Sequence, residues 1–213
     1  MARLTPGQFG LRALAWVGTY VWARPKVYGA FPKLTEPTIF VCRHVGLCDP
    51  VILMVKYVRH IVHPLVARDY FEANKFTRWF YPLALCYPIE RRSPSTEWLE
   101  KSLEALKNGE SIIVFPEGKR NKKGVGLLPF HSGAALLAAR SGARIVPVYN
   151  AFWHIPKRYR LAIGEPMRVD PLPPEGVNSQ WLREQTQKIK DAVEELGRLI
   201  PDKYQTPNPK YKD

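Results

Sequence analysis

The run Thr38-Ile39-Phe40-Val41-Cys42 leads directly into Arg43-His44-Val45-Gly46-Leu47-Cys48, and Asp49-Pro50 then opens a second apolar run. Five consecutive β-favouring or apolar residues predict a central strand. Asp49 suits a helix N-cap and Pro50 the first helical position. The unit reads strand, loop, helix. A second strand of the same buried type, Ser111 to Phe115, runs straight into Pro116-Glu117-Gly118. Further strand-like runs lie at Ile61–Ala67, Arg144–Tyr149 and Tyr159–Ile163, with Leu83–Ile89 as another apolar segment and Pro64 arguing for an edge or a break. Helices are expected over 9–23, 50–59, 68–80, 132–140 and 180–199. Another is capped by Ser93-Pro94, carries Leu99, Leu103 and Leu106 on one face, and stops at Asn108-Gly109. This alternation predicts an α/β domain with a mostly parallel central sheet flanked by helices, its functional loops beyond the C-terminal ends of the strands. His44 and Glu117 both fall just past predicted strands.

A chain of 213 residues with 46% hydrophobic and 12% aromatic content can bury an ordinary core. The expected organisation is an N-terminal membrane-interfacial or packing helix over 1–26, one α/β domain over 27–200 and a frayed polar tail over 201–213. The N-terminal segment carries Trp16, Tyr20 and Trp22 and is interrupted by Arg12. It is too short to span a bilayer and carries no small-residue cleavage site. Aromatic residues flanked by arginine suit a helix lying in a membrane surface, and equally one packed on the core. The 32 Lys and Arg against 19 Asp and Glu, net +13, favour anionic partners: nucleic acid, phosphate-bearing substrates or an anionic bilayer. No helix-turn-helix, zinc-finger or RNA-binding motif is present, so nucleic acid is not expected. Cys42, Cys48 and Cys86 form no C-x-x-C pair, which points to a reducing, cytoplasmic setting. The spacing of His60, His63 and His131 fits no zinc pattern; no metal or other cofactor is expected, and His63 reads as structural.

A carboxylate five residues after a loop histidine can fold back onto the ring, hold one nitrogen as a donor and leave the other as a base. The same residues also read as a helix cap and an ordinary loop histidine. No G-x-S-x-G nucleophile elbow occurs, and Ser132 reads as a helix cap. Arg120, after the glycine turn at Gly118, can present a guanidinium fork to a phosphate. Arg91 is a second phosphate candidate, with Arg92 and Lys119 behind it. Glu117 would hold one of these arginines or bond an acceptor hydroxyl.

Four motifs in order give the chain its resemblance to the phospholipid/glycerol acyltransferase family, whose bacterial members include 1-acylglycerol-3-phosphate acyltransferases. The family's N-H-x4-D appears as Arg43-His44 to Asp49, with arginine for asparagine. A hydrophobic run ending in arginine appears as Tyr87-Pro88-Ile89-Glu90-Arg91. F-P-E-G-T-R appears as Phe115-Pro116-Glu117-Gly118-Lys119-Arg120, with lysine for threonine. The V-P-V strand is Val146-Pro147-Val148, and His131 stands at the lysine of P-F-K-x-G. The resemblance covers roughly residues 35–170 and implies a glycerol-phosphate acyltransferase-like fold. It implies transfer of an acyl group from acyl-CoA or acyl carrier protein to a lysophospholipid, with 1-acylglycerol 3-phosphate as the leading acceptor. His44 would be the general base, oriented by Asp49, with no covalent acyl-enzyme. Arg91, Glu117, Gly118, Lys119 and Arg120 would bind substrate. Phe71, Phe76, Trp79 and Phe80 are candidates for the acyl groove, and Lys75, Lys122 and Lys123 for the donor's phosphates. The expected location is the cytoplasmic side of the cell membrane, peripheral or monotopic. The departures at Arg43, Lys119 and His131 leave a lyso-ornithine lipid, a glycolipid or glycerol 3-phosphate open as acceptor, and Arg43 beside the base could select the headgroup. A nucleic-acid- or lipid-binding module without catalysis is the alternative of another class.

Overall fold

The computed structural model describes residues 4–90, 96–152, 158–174, 176–205 and 207–208. Within them, seven strands form one sheet. They are β1 (Lys26–Tyr28), β2 (Thr38–Cys42), β3 (Val62–Ala67), β4 (Tyr87–Ile89), β5 (Ser111–Val114), β6 (Arg144–Asn150) and β7 (Arg160–Ile163), in the order β1-β7-β6-β2-β5-β3-β4. Every pairing is parallel except β6 with β7. Because β2 and β5 are parallel neighbours, with Val41 opposite Val114, the loops that follow them leave the same edge of the sheet. Pro64 does not break β3. It stands where β3 changes partner, from β5 over residues 62–64 to β4 over 65–67.

The all-apolar strands are buried on both faces. Ile39, Val41, Ile112, Val114 and Ile145 meet α5 (Glu97–Lys107), α6 (Gly133–Ser141) and α7 (Ser179–Gly197) through Leu99, Leu106, Leu137, Ile189 and Val193. Phe40, Cys42, Ile113, Val146 and Val148 point the other way, onto Ile52 and Leu53 of α2 (Asp49–Lys56), with Tyr159 and Leu161. Each fully buried aliphatic side chain contributes about 1.5–3 kcal/mol.

The first helix starts earlier than periodicity suggested. α1 spans Pro6–Gly18 because Thr5 and Gln8 form a reciprocal capping box ahead of Pro6, and it continues as a π turn, Thr19–Ala23. Its orientation reverses the usual one. Arg12 faces inward, where its guanidinium donates to the carbonyls of His60 and Val62, while Leu14, Trp16, Val17, Tyr20, Val21 and Trp22 face out. Burial pulls the Arg12 guanidinium down to about 10. The segment expected as one helix over 68–80 divides into α3 (Arg68–Phe71) and α4 (Lys75–Leu83), because Asn74 caps a new start through Thr77. Pro82 lies inside α4, one residue before its end, rather than closing it. Phe76 and Trp79 of α4 face solvent, and Leu83 lies against Gly7 of α1. α5 begins at Glu97 after Thr96; the Ser93-Pro94 cap and Arg92 lie outside the described residues. The tail is not frayed throughout. Gln205 bonds the Gly197 and Ile200 carbonyls, and the Asn208 N–H donates to the Lys123 carbonyl. Among the described residues, no helix is long and apolar enough to cross a membrane.

Candidate active site

His44 sits on the loop between β2 and α2, and four contacts fix it. Its N–H donates to Glu117 Oε1 at 3.0 Å, and its carbonyl accepts the Asn121 N–H at 2.7 Å. The ring stacks on Phe115 with centroids 4.2 Å apart, and Nδ1 lies 2.9 Å from Asp49 Oδ2. A carboxylate facing Nδ1 places the proton on that nitrogen and leaves the Nε2 lone pair available. Asp49 is not the helix cap that its position suggested. It is the first residue of α2, Cys48 occupies the cap position without a side-chain bond, and the carboxylate turns back to the loop. There Oδ2 also accepts the N–H groups of Val45 at 2.7 Å and Gly46 at 2.8 Å. Its other oxygen accepts the Tyr159 hydroxyl at 2.8 Å, a partner 110 residues away that sequence inspection missed.

The loop after β5 supplies the second half. Phe115 to Gly118 closes a turn through the Gly118 N–H and the Phe115 carbonyl. Gly118 has φ +65°, a conformation that favours glycine, and a Cβ there would press on the exposed His131 ring at 3.0 Å. Glu117 faces inward, 3% exposed. Oε1 holds His44 and Oε2 accepts the Leu128 N–H at 3.2 Å. Burial pushes its carboxyl above the usual range, while these N–H bonds and the charge of Arg43 pull it back. Its position is that of a brace between loops, not of a group presented to substrate. Asn121, also missed, folds the basic loop: its side-chain amide donates to Val125 and Gly126, and its oxygen accepts the Gly124 N–H.

Arg43 does not reach the site opening. It is 1% exposed. Nε donates to the Gly126 carbonyl at 2.8 Å, one terminal nitrogen to the Asn150 carbonyl at 2.9 Å, and the guanidinium lies over the Tyr149 ring at 4.5 Å. The expected headgroup selector is therefore a strut between the β2 and β6 ends and the basic loop. Burial lowers its guanidinium from the usual value, with Tyr149, Glu117 and Asp49 opposing.

His44, Gly118, Lys119 and Arg120 converge on one cleft of about 760 Å³. Lys122 and Lys123 add to its cationic lining, and Leu65, Val66, Ala67, Val114 and Leu128 supply apolar lining, with Tyr70 and Tyr81. Phe71, Phe76, Trp79 and Phe80, the aromatic candidates for a groove, do not line it. Ile89 does, at the end of β4; Arg91, two residues on, lies outside the described residues. His63 is structural. Its nitrogens face the Leu85 carbonyl and Glu110, and its ring stacks on Tyr87. Among the described residues, no three His, Cys, Asp or Glu side chains converge as metal ligands. The arrangement offers an imidazole in a groove whose lining is part apolar and part cationic.

The acyltransferase family model matches residues 24–150. The chain is 27% identical over 138 residues to a 1-acyl-sn-glycerol-3-phosphate acyltransferase of Bacillus subtilis, covering 61% of this chain and 66% of that protein. It is 36% identical over 146 residues to a chloroplastic 1-acyl-sn-glycerol-3-phosphate acyltransferase of Brassica napus, covering 63% and 39%. The chain thus matches just under two thirds of the length of the first relative and well under half of the second. The crystal structure of the 1-acyl-sn-glycerophosphate acyltransferase PlsC of Thermotoga maritima superposes with a TM-score of 0.58 over 88% of this chain and 79% of that one, at 24% identity; this likeness speaks to the fold.

Proposed function

The chain belongs to the acyltransferase family, and we propose that it transfers a fatty acyl group from acyl-CoA or acyl carrier protein to the free hydroxyl of 1-acylglycerol 3-phosphate, giving phosphatidate. The supporting observation is the His44–Asp49 pair, set on a cleft with both apolar and cationic lining. In this reading, Nε2 takes the acceptor's hydroxyl proton as its oxygen attacks the thioester carbonyl. The tetrahedral adduct collapses, the C–S bond breaks, and the proton passes from the imidazolium to the departing thiolate. Asp49 keeps the ring oriented and offsets the imidazolium charge, as the carboxylate of a hydrolase triad does. The hydroxyl is itself the nucleophile, so no acyl-enzyme forms.

Arg120 is the principal phosphate ligand in this scheme, aided by Lys119 and by Arg91. The apolar lining takes the acyl chain, at about 0.8 kcal/mol per buried CH2. Catalysis takes place at the anionic, cytoplasmic face of a membrane. The outward apolar residues of α1, its π turn and α4, together with the net charge of +13, support this location.

The test is turnover by the purified chain. Lysophosphatidate, other lysolipids and glycerol 3-phosphate are each offered with acyl-CoA and with acyl carrier protein, and products are followed by mass spectrometry. Phosphatidate is the expected product. Preference for another lysolipid would reassign the acceptor, and no transfer to any acceptor would overturn the reading.

A further inference from the structure

Both oxygens of Asp49 are occupied. Oδ2 gathers three donors from the His44 loop, and Oδ1 takes the Tyr159 hydroxyl at 2.8 Å. Tyr159 stands immediately before β7 and is 1% exposed. Its main chain is clamped to the N-terminal segment, its N–H donating to the Ala23 carbonyl at 2.8 Å and its carbonyl accepting the Lys26 N–H at 2.7 Å. The phenol thus reaches Asp49 from a fixed point in the sheet. With one oxygen tied to the sheet and the other to the loop, rotating the carboxylate would break bonds on both sides.

We propose that Tyr159 is a positioning residue for the His44–Asp49 pair: through Asp49 Oδ1 it holds the carboxylate plane and tempers its charge, keeping Oδ2 aimed at Nδ1. The inference rests on the acyl-transfer reading given above. The phenol stays a donor throughout, since burial pushes it well above its usual value and the adjacent carboxylate acts in the same direction. The groups facing this bond are Cys42 and Arg43 from the end of β2, Cys48 and His44 from the loop, and Asp49 from α2. Burial raises both thiols, so they add no charge near neutrality. The phenol acts against a local field set by Arg43, Asp49, Glu117 and the proton taken up by His44. A carboxylate deprived of one donor binds a proton more firmly and also draws a proton more strongly onto the imidazole. Both effects move the acidic limb of the pH–rate profile to higher pH.

The full chain is compared with Tyr159→Phe between about pH 5 and pH 8, using lysophosphatidate and acyl-CoA. Expected are a fall in kcat of about 10- to 100-fold, the scale of orienting partners behind a functional imidazole, nearly unchanged KM values and an acidic limb moved to higher pH. Adding Tyr159→Phe to Asp49→Asn brings no further loss. 3-Fluorotyrosine placed at 159 is a stronger donor of nearly the same shape, and it moves the limb to lower pH. Wild-type kcat and pH profile in Tyr159→Phe, or a full additional loss in the Asp49→Asn background, overturns the proposal. Should Tyr159→Phe fail to fold, an unmoved limb with fluorotyrosine does so alone. A wild-type chain inactive on every acceptor defeats the acyl-transfer reading instead. The His44 ring titration followed by NMR then decides the role of Tyr159: a titration displaced in the directions given above supports it, and one unchanged in the variants overturns it.

Discussion

The main-chain N–H of His44 donates to Oε1 of Glu117 at 3.0 Å, tying the loop that follows β2 to the loop that follows β5. The other Glu117 oxygen takes the N–H of Leu128, on the cleft wall. The carboxylate three residues before Arg120 therefore acts inward. It sets the distance between His44 and the basic loop, a task that residue type and motif alone did not suggest.

That inward position has a pH signature. Burial raises the Glu117 carboxyl above its ordinary 4.5, so the folded chain holds this proton more firmly than the unfolded chain does. The stability linked to that proton is fully present below pH 4.5 and is lost as pH rises through the raised value. Glu117→Gln abolishes the titration and leaves one N–H without its acceptor, a loss of about 1–3 kcal/mol. The advantage of wild type over Glu117→Gln is thus largest in acid and narrows on going to neutral pH. Urea midpoints measured for both chains across this range check it; a gap that widens with pH contradicts the assignment.

His44→Ala separates chemistry from folding. The ring's main partners are Phe115 and Asp49, and the side chain is 20% exposed, so its loss opens no large core cavity. Acyl transfer falls by about 10²- to 10⁴-fold, the range for a positioned general base, while the melting temperature changes little. Near-normal turnover by a folded His44→Ala chain assigns the base elsewhere.

For Arg120 the expected signature is in acceptor binding. A charge-assisted hydrogen bond is worth about 1.5–3 kcal/mol, so Arg120→Ala raises the acceptor KM by about tenfold or more, with the donor KM little affected. Arg120→Lys recovers only part, because lysine keeps the charge and loses the fork. An acceptor KM that does not change moves the phosphate role to Lys119 or Arg91.

The sheet was legible because β2 and β5 announce themselves as short apolar runs, each ending in a polar turn. The His44–Asp49 pairing was legible because the partners lie only five residues apart. Tyr159 was not, since its bond to Asp49 spans 110 residues and nothing local marks it. Arg43 misled for a related reason. A cation next to a base reads as part of the site, and only the three-dimensional positions of the Gly126 and Asn150 carbonyls turn its guanidinium inward. α1 was ambiguous because an amphipathic pattern does not say which face is inside; the Arg12 bonds to His60 and Val62 decide it.

Arg43 gives a test of stability without specificity. Arg43→Ala strips the buried Asn150 carbonyl of a donor, leaves the exposed Gly126 carbonyl to the Asn121 amide and opens a gap against Tyr149. With about 1–3 kcal/mol for a buried group left unsatisfied, a loss of that size is expected. The ranking of lysolipid acceptors should stay as in wild type. A changed ranking in a stably folded Arg43 variant would return this residue to headgroup selection.

The outward apolar residues of α1 and its π turn make the proposed membrane location measurable. Leu14 and Val21 are 74% and 73% exposed, so replacing both with serine removes little packing and leaves the melting temperature close to wild type. A fully buried side chain of this size contributes about 1.5–3 kcal/mol. The double variant should therefore lose at least about tenfold in affinity for vesicles containing anionic phospholipid. Two further features separate insertion from simple charge attraction. Added salt should weaken binding of wild type and variant alike, since the net charge of +13 is unchanged and its attraction is screened. The difference between them should persist at high salt, because apolar transfer is not screened. Equal vesicle affinity for the two chains at every salt concentration would show that these residues do not enter the bilayer, and the docking role would pass to Phe76 and Trp79 of α4.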